Sequence, residues 1–197
     1  MFEELLAFIK STYSQKKDIH LHEPVFLGNE KKYIENCIDN TMVSSIGEYV
    51  NKFETDVATF LESKYAIATV NGTSAIHLCL ILSGVKRDDE VITQSLTFIG
   101  TCNPIIYLGA SPIFLDVDKD SLGLSPKNLH KFLSMNCEIR DDGYCWNKST
   151  NRIIKACIPT HVNGFPNRID EIVRICSNYN IKVVEDAAEA LGSKFKK

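Results

Sequence analysis

The stretch Tyr65–Gly84, YAIATVNGTSAIHLCLILSG, has two readings, and they lead to different folds. Asn71 and Gly72 could close a two-residue hairpin, since both residues take positive φ at little cost. Alternatively, an extended run over 65–70 passes through NGTSA into a helix whose N-terminus suits an anion. A hairpin partner would alternate apolar and polar residues. Here Ala75, Ile76, Leu78, Cys79, Leu80, Ile81 and Leu82 form a nearly continuous apolar run that stops at Ser83-Gly84, a helix C-terminal signal. Strand, loop, helix is the expectation.

Working outward, the same alternation repeats toward the C-terminus. Strands are expected at 90–93 (EVIT), 112–117 (PIFLDV), 152–160 (RIIKACIPT) and 182–187 (KVVEDA). Helices are expected near 74–83, 99–108, 126–133 and 168–180, the last with Asp170 and Glu171 in its first turn. Strands separated by helices require crossover connections, which predicts an α/β three-layer sandwich with a mostly parallel sheet. The polar segment Ser134–Thr150 reads as an irregular surface insertion. Before Tyr65 the pattern is helical, over 29–40 and from about 48 to 63, where Val50, Phe53, Val57, Phe60 and Leu61 make one stripe. The opening MFEELLAFIKSTYSQKK predicts a helix that caps a core with Phe2, Leu5, Leu6 and Ile9. A helical segment, 1–63, and a larger domain, 64–197, are the expected organisation.

Composition narrows the function classes. Lys plus Arg total 22 against 25 Asp plus Glu, a net charge of −3 with no long basic run, which argues against nucleic acid as a main partner. The seven cysteines are scattered without a C-x-x-C pair, which argues against a disulfide framework or a structural metal site and fits a reducing cytoplasm. Early acidic residues and the lack of a long apolar core argue against a signal peptide, and no stretch is long enough to predict a membrane span.

In an open α/β sheet, ligands sit beyond the carboxyl ends of the strands. NGTSA, SLTFIGT, DVDKDSLGL, PTHVNG and EDAAEALGS all fall there, gathering Thr73, Ser74, Phe98, His161 and Asp186 on one edge. NGTSA offers backbone N–H groups and two hydroxyls to one phosphate. It matches neither G-x-x-x-x-G-K-[ST] nor G-x-G-x-x-G, and Thr73 or Ser74 serves equally well as a plain N-cap. A carboxylate at the end of a buried strand needs a cationic or hydrogen-bonding partner. A protonated pyridine nitrogen would be one such partner for Asp186; a helix cap or salt bridge through Glu185 and Asp186 is the other reading. Phe98 could lie against a planar ring or pack as a core aromatic. His161 is a candidate for cofactor contact or proton transfer, or for a structural role.

Taken in order, LHEPVFLGNEKKYI, VSSIGEYVNKFE, ATVNGTSAIHLCL, DEVITQSLTFIGTCNPIIYLGASPIFLDVD, PTHVNGFPNRIDEI and VVEDAAEALGS resemble the DegT/DnrJ/EryC1/StrS family. These are pyridoxal-phosphate-dependent nucleotide-sugar aminotransferases of fold type I, and the opening is similar to the branch that makes 4-amino sugars, including the legionaminic-acid type, for surface glycans. The resemblance implies a homodimer that passes an amino group from glutamate to a keto nucleotide-sugar. It implies that Gly72, Thr73 and Ser74 bind the cofactor phosphate, that Phe98 stacks on the pyridine ring and that Asp186 pairs with the ring nitrogen. Glu189 falls where relatives carry Gln or His near the ring 3-hydroxyl, and a carboxylate there changes that hydrogen bond. The family's Schiff-base lysine belongs to an S-F-x-x-x-K string downstream of the Asp186 motif; Lys194, Lys196 and Lys197 stand too close to Asp186 to match it. The expectation is a large domain truncated before that lysine and before the small C-terminal domain, without turnover of glutamate by itself. A sugar dehydratase, in which His replaces the lysine, and one half of a split enzyme are the alternatives.

Overall fold

The computed structural model describes residues 2–14, 18–19 and 24–196, which fall into two units, Met1–Phe53 and Glu54–Lys197. Expectations for Met1, residues 15–17, residues 20–23 and Lys197 lie outside the described residues. The first unit holds α1 (Phe2–Thr12), α2 (Glu30–Asp39) and the start of α3 (Glu48–Phe60). Glu3 and Glu4 open α1 and Lys10 closes it, an order that complements the helix dipole. The core-capping role expected of Phe2, Leu5, Leu6 and Ile9 is not seen, because no residue of α1 is buried. Phe53 and Phe60 of the α3 stripe are likewise exposed.

The second unit continues with α4 (Gly72–Leu82), β1 (Glu90–Gln94), α5 (Ile99–Tyr107), β2 (Ser111–Leu115) and α6 (Pro126–Asn136). Then come β3 (Cys137–Ile139), β4 (Cys145–Asn147), β5 (Arg152–Ile158), a single 3₁₀ turn (Val162–Gly164), α7 (Ile169–Ser177) and β6 (Lys182–Val183). Parallel pairings run β2-β1-β5-β6, and the β3–β4 hairpin joins antiparallel, so β4 and β6 share one side of β5. The sheet is mostly parallel with helices on both faces, as the alternating pattern predicts.

Two corrections follow. Residues 65–70 are extended but form no strand, because strand structure requires a ladder partner and none lies alongside among the described residues. Tyr65, Ile67 and Val70 are 72%, 76% and 88% exposed, and the Ala68 N–H is met instead by Glu54 Oε1 at 2.8 Å. Conversely, 134–150 is no irregular insertion: it carries the end of α6 and the β3–β4 hairpin, turned at Gly143 with φ 78°. The hairpin buries Cys137 and Cys145 in the core and aims Asn147 Nδ2 at the buried Glu90 carboxylate, 2.9 Å away.

Each face of the sheet has its own core. Val91, Ala156 and Ile158 pack with Ile76 and Leu80 of α4 and Ile105 of α5, whereas Ile92, Ile154 and Cys157 pack with α6 and α7. Strict alternation along β5 would put 154, 156 and 158 on one face. The register shift that carries Glu90↔Ile154 to Val91↔Ala156 inserts Lys155 as an extra residue, so Ile154 faces the same core as Cys157 while Ala156 and Ile158 face the other. The thiols of Cys145 and Cys157 are pushed up, first by hydrogen bonding to Cys137 and Cys176 and then by burial, so they pack as neutral groups.

Asn167 locks two loops behind the sheet end. Its side chain is fully buried, Nδ2 donates to the Thr160 carbonyl at 3.0 Å, and Oδ1 lies where a Cβ on Gly123 would stand. Gly123→Ala must therefore displace a hydrogen-bonded core group. It is expected to destabilise the fold by about 1–3 kcal/mol, read as a lower urea midpoint at unchanged m-value.

Candidate functional site

The carboxyl ends of β1, β5 and β6 frame an open cavity of about 480 Å³. Thr97 and Phe98 come from the turn after β1, Thr160 and His161 from the end of β5, and Asp186 and Glu189 from the chain after β6. Although β6 is only two residues long, the chain stays extended beyond it. Asp186 bridges to Thr160 in parallel register, its N–H donating to the Pro159 carbonyl and its carbonyl accepting from the His161 N–H, both at 3.0 Å. Both backbone groups of Asp186 are thus held by the segment that follows β5.

Asp186 is 8% exposed, and its carboxylate is met by two donors: Thr101 Oγ1 to Oδ2 at 2.5 Å and the Ala188 N–H to Oδ1 at 3.3 Å. The hydroxyls of Thr97 and Thr101 lie 2.6 Å apart, and those of Thr97 and Thr160 lie 3.0 Å apart. Beside them, the Cys102 thiol is pushed up by burial and then by the Asp186 charge, so it stays protonated next to the carboxylate. Phe98 caps α5, and 78% of it faces open space. It is not the core aromatic of the alternative reading.

His161 has both ring nitrogens engaged. Nδ1 accepts the Asn167 N–H at 3.0 Å, which leaves the hydrogen on Nε2 to donate to Glu185 Oε2, also at 3.0 Å. The ring is 6% exposed. That arrangement commits both ring nitrogens to neighbouring loop segments at the cavity. Glu189 accepts the Asn163 N–H at 2.7 Å; there Asn163 (φ 53°) and Gly164 (φ 78°) form a left-handed turn. A Cβ on Gly164 would stand 2.8 Å from the Glu189 carbonyl, so the turn requires glycine at that point.

Gly72, Thr73 and Ser74 open α4 next to this cavity, not within its lining. Asn71 is the N-cap, its side chain accepting from the Ser74 N–H at 2.8 Å, so neither Thr73 nor Ser74 takes the capping role. The start of α4 approaches α5 closely: a Cβ on Gly100 would lie 2.8 Å from Thr73 Oγ1 and 3.0 Å from the Phe98 ring. Two helix N-termini and the Phe98 ring are thereby grouped. Sequence reasoning missed Asn71, Thr97, Thr101, Thr160 and Asn167. The spacing of Thr97 and Thr101 four apart around Phe98 was the available signal for two of them, while Thr160 and Asn167 carry none.

A family model described as the DegT/DnrJ/EryC1/StrS aminotransferase family matches residues 27–197. The chain belongs to that family. GDP-perosamine synthase of Escherichia coli O157:H7 is 37% identical over 180 residues, 91% of this chain and 45% of that protein. The aminotransferase from Psychrobacter cryohalolentis shares the fold at TM-score 0.74 and 29% identity, covering 88% of this chain and 40% of that one. The E. coli GDP-4-keto-6-deoxy-D-mannose-3-dehydratase, solved with hydrated PLP, matches at TM-score 0.73 and 25% identity over 91% and 43%. The chain spans less than half the length of these relatives.

In this DegT/DnrJ/EryC1/StrS family member, no helix among the described residues is long and apolar enough to cross a membrane. His161→Phe keeps a ring and removes both nitrogens, stranding the buried Asn167 N–H. It is expected to cost about 1–3 kcal/mol, measured by equilibrium urea unfolding.

Proposed function

We propose that the cavity holds pyridoxal phosphate and that the chain serves a nucleotide-sugar aminotransferase, moving an amino group from glutamate to a keto sugar for surface polysaccharide. The observation that carries this reading is the buried Asp186 carboxylate facing one cavity with the exposed Phe98 ring. A cationic ring nitrogen is the partner such a carboxylate suits, and a planar ring is what an exposed aromatic at the mouth suits. When bound, the cofactor supplies an electron sink and a carrier for the amino group.

The residues fit that group. Asp186 would hold a proton on the ring nitrogen, and Phe98 would lie against the ring face. Gly72, whose Cβ position meets nothing within 4 Å, leaves backbone open at the start of α4. With Ser74 N–H taken by Asn71 and Ala75 N–H by the Asn71 carbonyl, the N–H groups of Gly72 and Thr73 make no hydrogen bond among the described residues. These groups and the hydroxyls of Thr73 and Ser74 would take the phosphate. Glu189 would meet the ring hydroxyl side through the oxygen not used by Asn163. His161 would act through the loop it fixes.

The partners proposed with this reading are glutamate, a nucleotide-linked keto sugar and a second copy of the chain, in a cytoplasmic homodimer. The name of the E. coli O157:H7 relative makes a GDP-linked 4-keto sugar the first substrate to test. A dehydratase is the second reading, since the solved E. coli dehydratase matches the fold almost as well as the Psychrobacter aminotransferase, TM-scores of 0.73 and 0.74.

The test has two stages, on the polypeptide that carries residues 1–197. Calorimetry should show pyridoxamine phosphate binding, weakened about tenfold or more by Asp186→Asn and by about threefold to tenfold by Phe98→Ala. With pyridoxal phosphate, glutamate and a GDP-linked 4-keto-6-deoxy sugar, mass spectrometry should find an amino sugar when residues 1–197 are joined to a segment that supplies the Schiff-base lysine, and none from residues 1–197 alone. A nitrogen-free deoxy sugar would instead support the dehydratase, and no binding by the folded protein would sink both.

A further inference from the structure

We infer that Thr101, at the head of a hydroxyl chain formed with Thr97 and Thr160, is the positioning residue that holds the Asp186 carboxylate toward the cofactor ring nitrogen. The inference rests on the cofactor reading above and adds a residue to it. Thr101 does not itself line the cavity; it lies beneath two residues that do, 1% exposed, with Oγ1 at 2.5 Å from Asp186 Oδ2 and 2.6 Å from Thr97 Oγ1.

The direction of the chain follows from counting hydrogens. Each threonine hydroxyl has one hydrogen to donate and lone pairs to accept with. An ionised Asp186 only accepts, so the Thr101 hydrogen goes to Oδ2. The 2.6 Å contact between Thr97 and Thr101 then requires Thr97 to donate to Thr101, and the 3.0 Å contact requires Thr160 to donate to Thr97. All three hydroxyls point their hydrogens toward the carboxylate, and each bond polarises the next.

This chain also links the three strand ends. Thr97 and Thr101 follow β1, Thr160 follows β5, and Asp186 follows β6, so the hydroxyls tie the carboxylate to the ends of β1 and β5. The Thr160 N–H is itself anchored by Gln94 Oε1 at 3.1 Å. With Oδ2 fixed by the shortest bond and Oδ1 bound only at 3.3 Å to the Ala188 N–H, Oδ1 is the oxygen left for a cationic donor in the cavity.

A ligand with and without the ring nitrogen separates positioning from bulk structure. Pyridoxamine phosphate and its analogue with CH in place of the ring nitrogen are titrated calorimetrically into wild type, Thr101→Val, Thr101→Ser and Thr97→Val, each checked for folding by circular dichroism. Thr101→Val is expected to lose about tenfold in affinity for pyridoxamine phosphate with the CH analogue unchanged, and Thr101→Ser to stay within about twofold of wild type. Thr97→Val, one hydroxyl further away, is expected to show a smaller loss with the same discrimination, and it decides the matter if Thr101→Val does not fold. Equal losses for both ligands, or none for pyridoxamine phosphate, overturn the proposal. Wild-type protein that binds neither ligand overturns the cofactor reading and the proposal with it.

Discussion

A carboxylate at the end of a parallel sheet organises this molecule. Removing Asp186 from water costs several kcal/mol unless donors replace the lost hydration, and at 8% exposure little hydration remains. The replacement comes from the Thr101 hydroxyl after β1, backed through Thr97 by the Thr160 hydroxyl after β5, and from the Ala188 N–H after β6. Those donors align only when β1, β5 and β6 run parallel in one register. The sheet order and the site are therefore the same constraint seen at two scales.

The layering follows from the need to cover both faces of that sheet. β5 feeds both cores, and the extra residue at Lys155 decides that Ile154 joins the core under α6 and α7 rather than the one under α4 and α5. Around the cavity, small residues decide how near the elements come. Gly100 lets the start of α4 meet α5 beside Phe98, and Gly164 lets the His161 loop lie against the Glu189 carbonyl. His161 and Asn167 complete this floor with backbone-directed hydrogen bonds.

Much of the scaffold was legible in the residues. Apolar runs bounded by turn signals located β1, β2, β5 and all four helices of the larger unit to within a few positions, because burial on both faces leaves continuous apolar strands. The segment 65–70 has the same composition and is not a strand, since propensity describes a residue and pairing describes two. The β3–β4 hairpin was missed for the opposite reason. Its inward residues are Cys137, Cys145 and Asn147, only weakly marked as core, and Asn147 is inside because Glu90 waits there.

The sequence by itself determined the alternation of strands and helices, the edge on which Phe98, His161 and Asp186 collect, and the likeness that placed the chain in its family. Each depends on local periodicity or on the order of residues along the chain. Tertiary structure alone decided which groups serve one another: Thr101 under Asp186, Asn167 across Gly123 and against His161, and Asn71 rather than Thr73 or Ser74 at the cap of α4. Thr101 and Asp186 are 85 positions apart, and no periodicity relates residues at that distance. Only the parallel register of three strands brings their side chains within hydrogen-bonding reach.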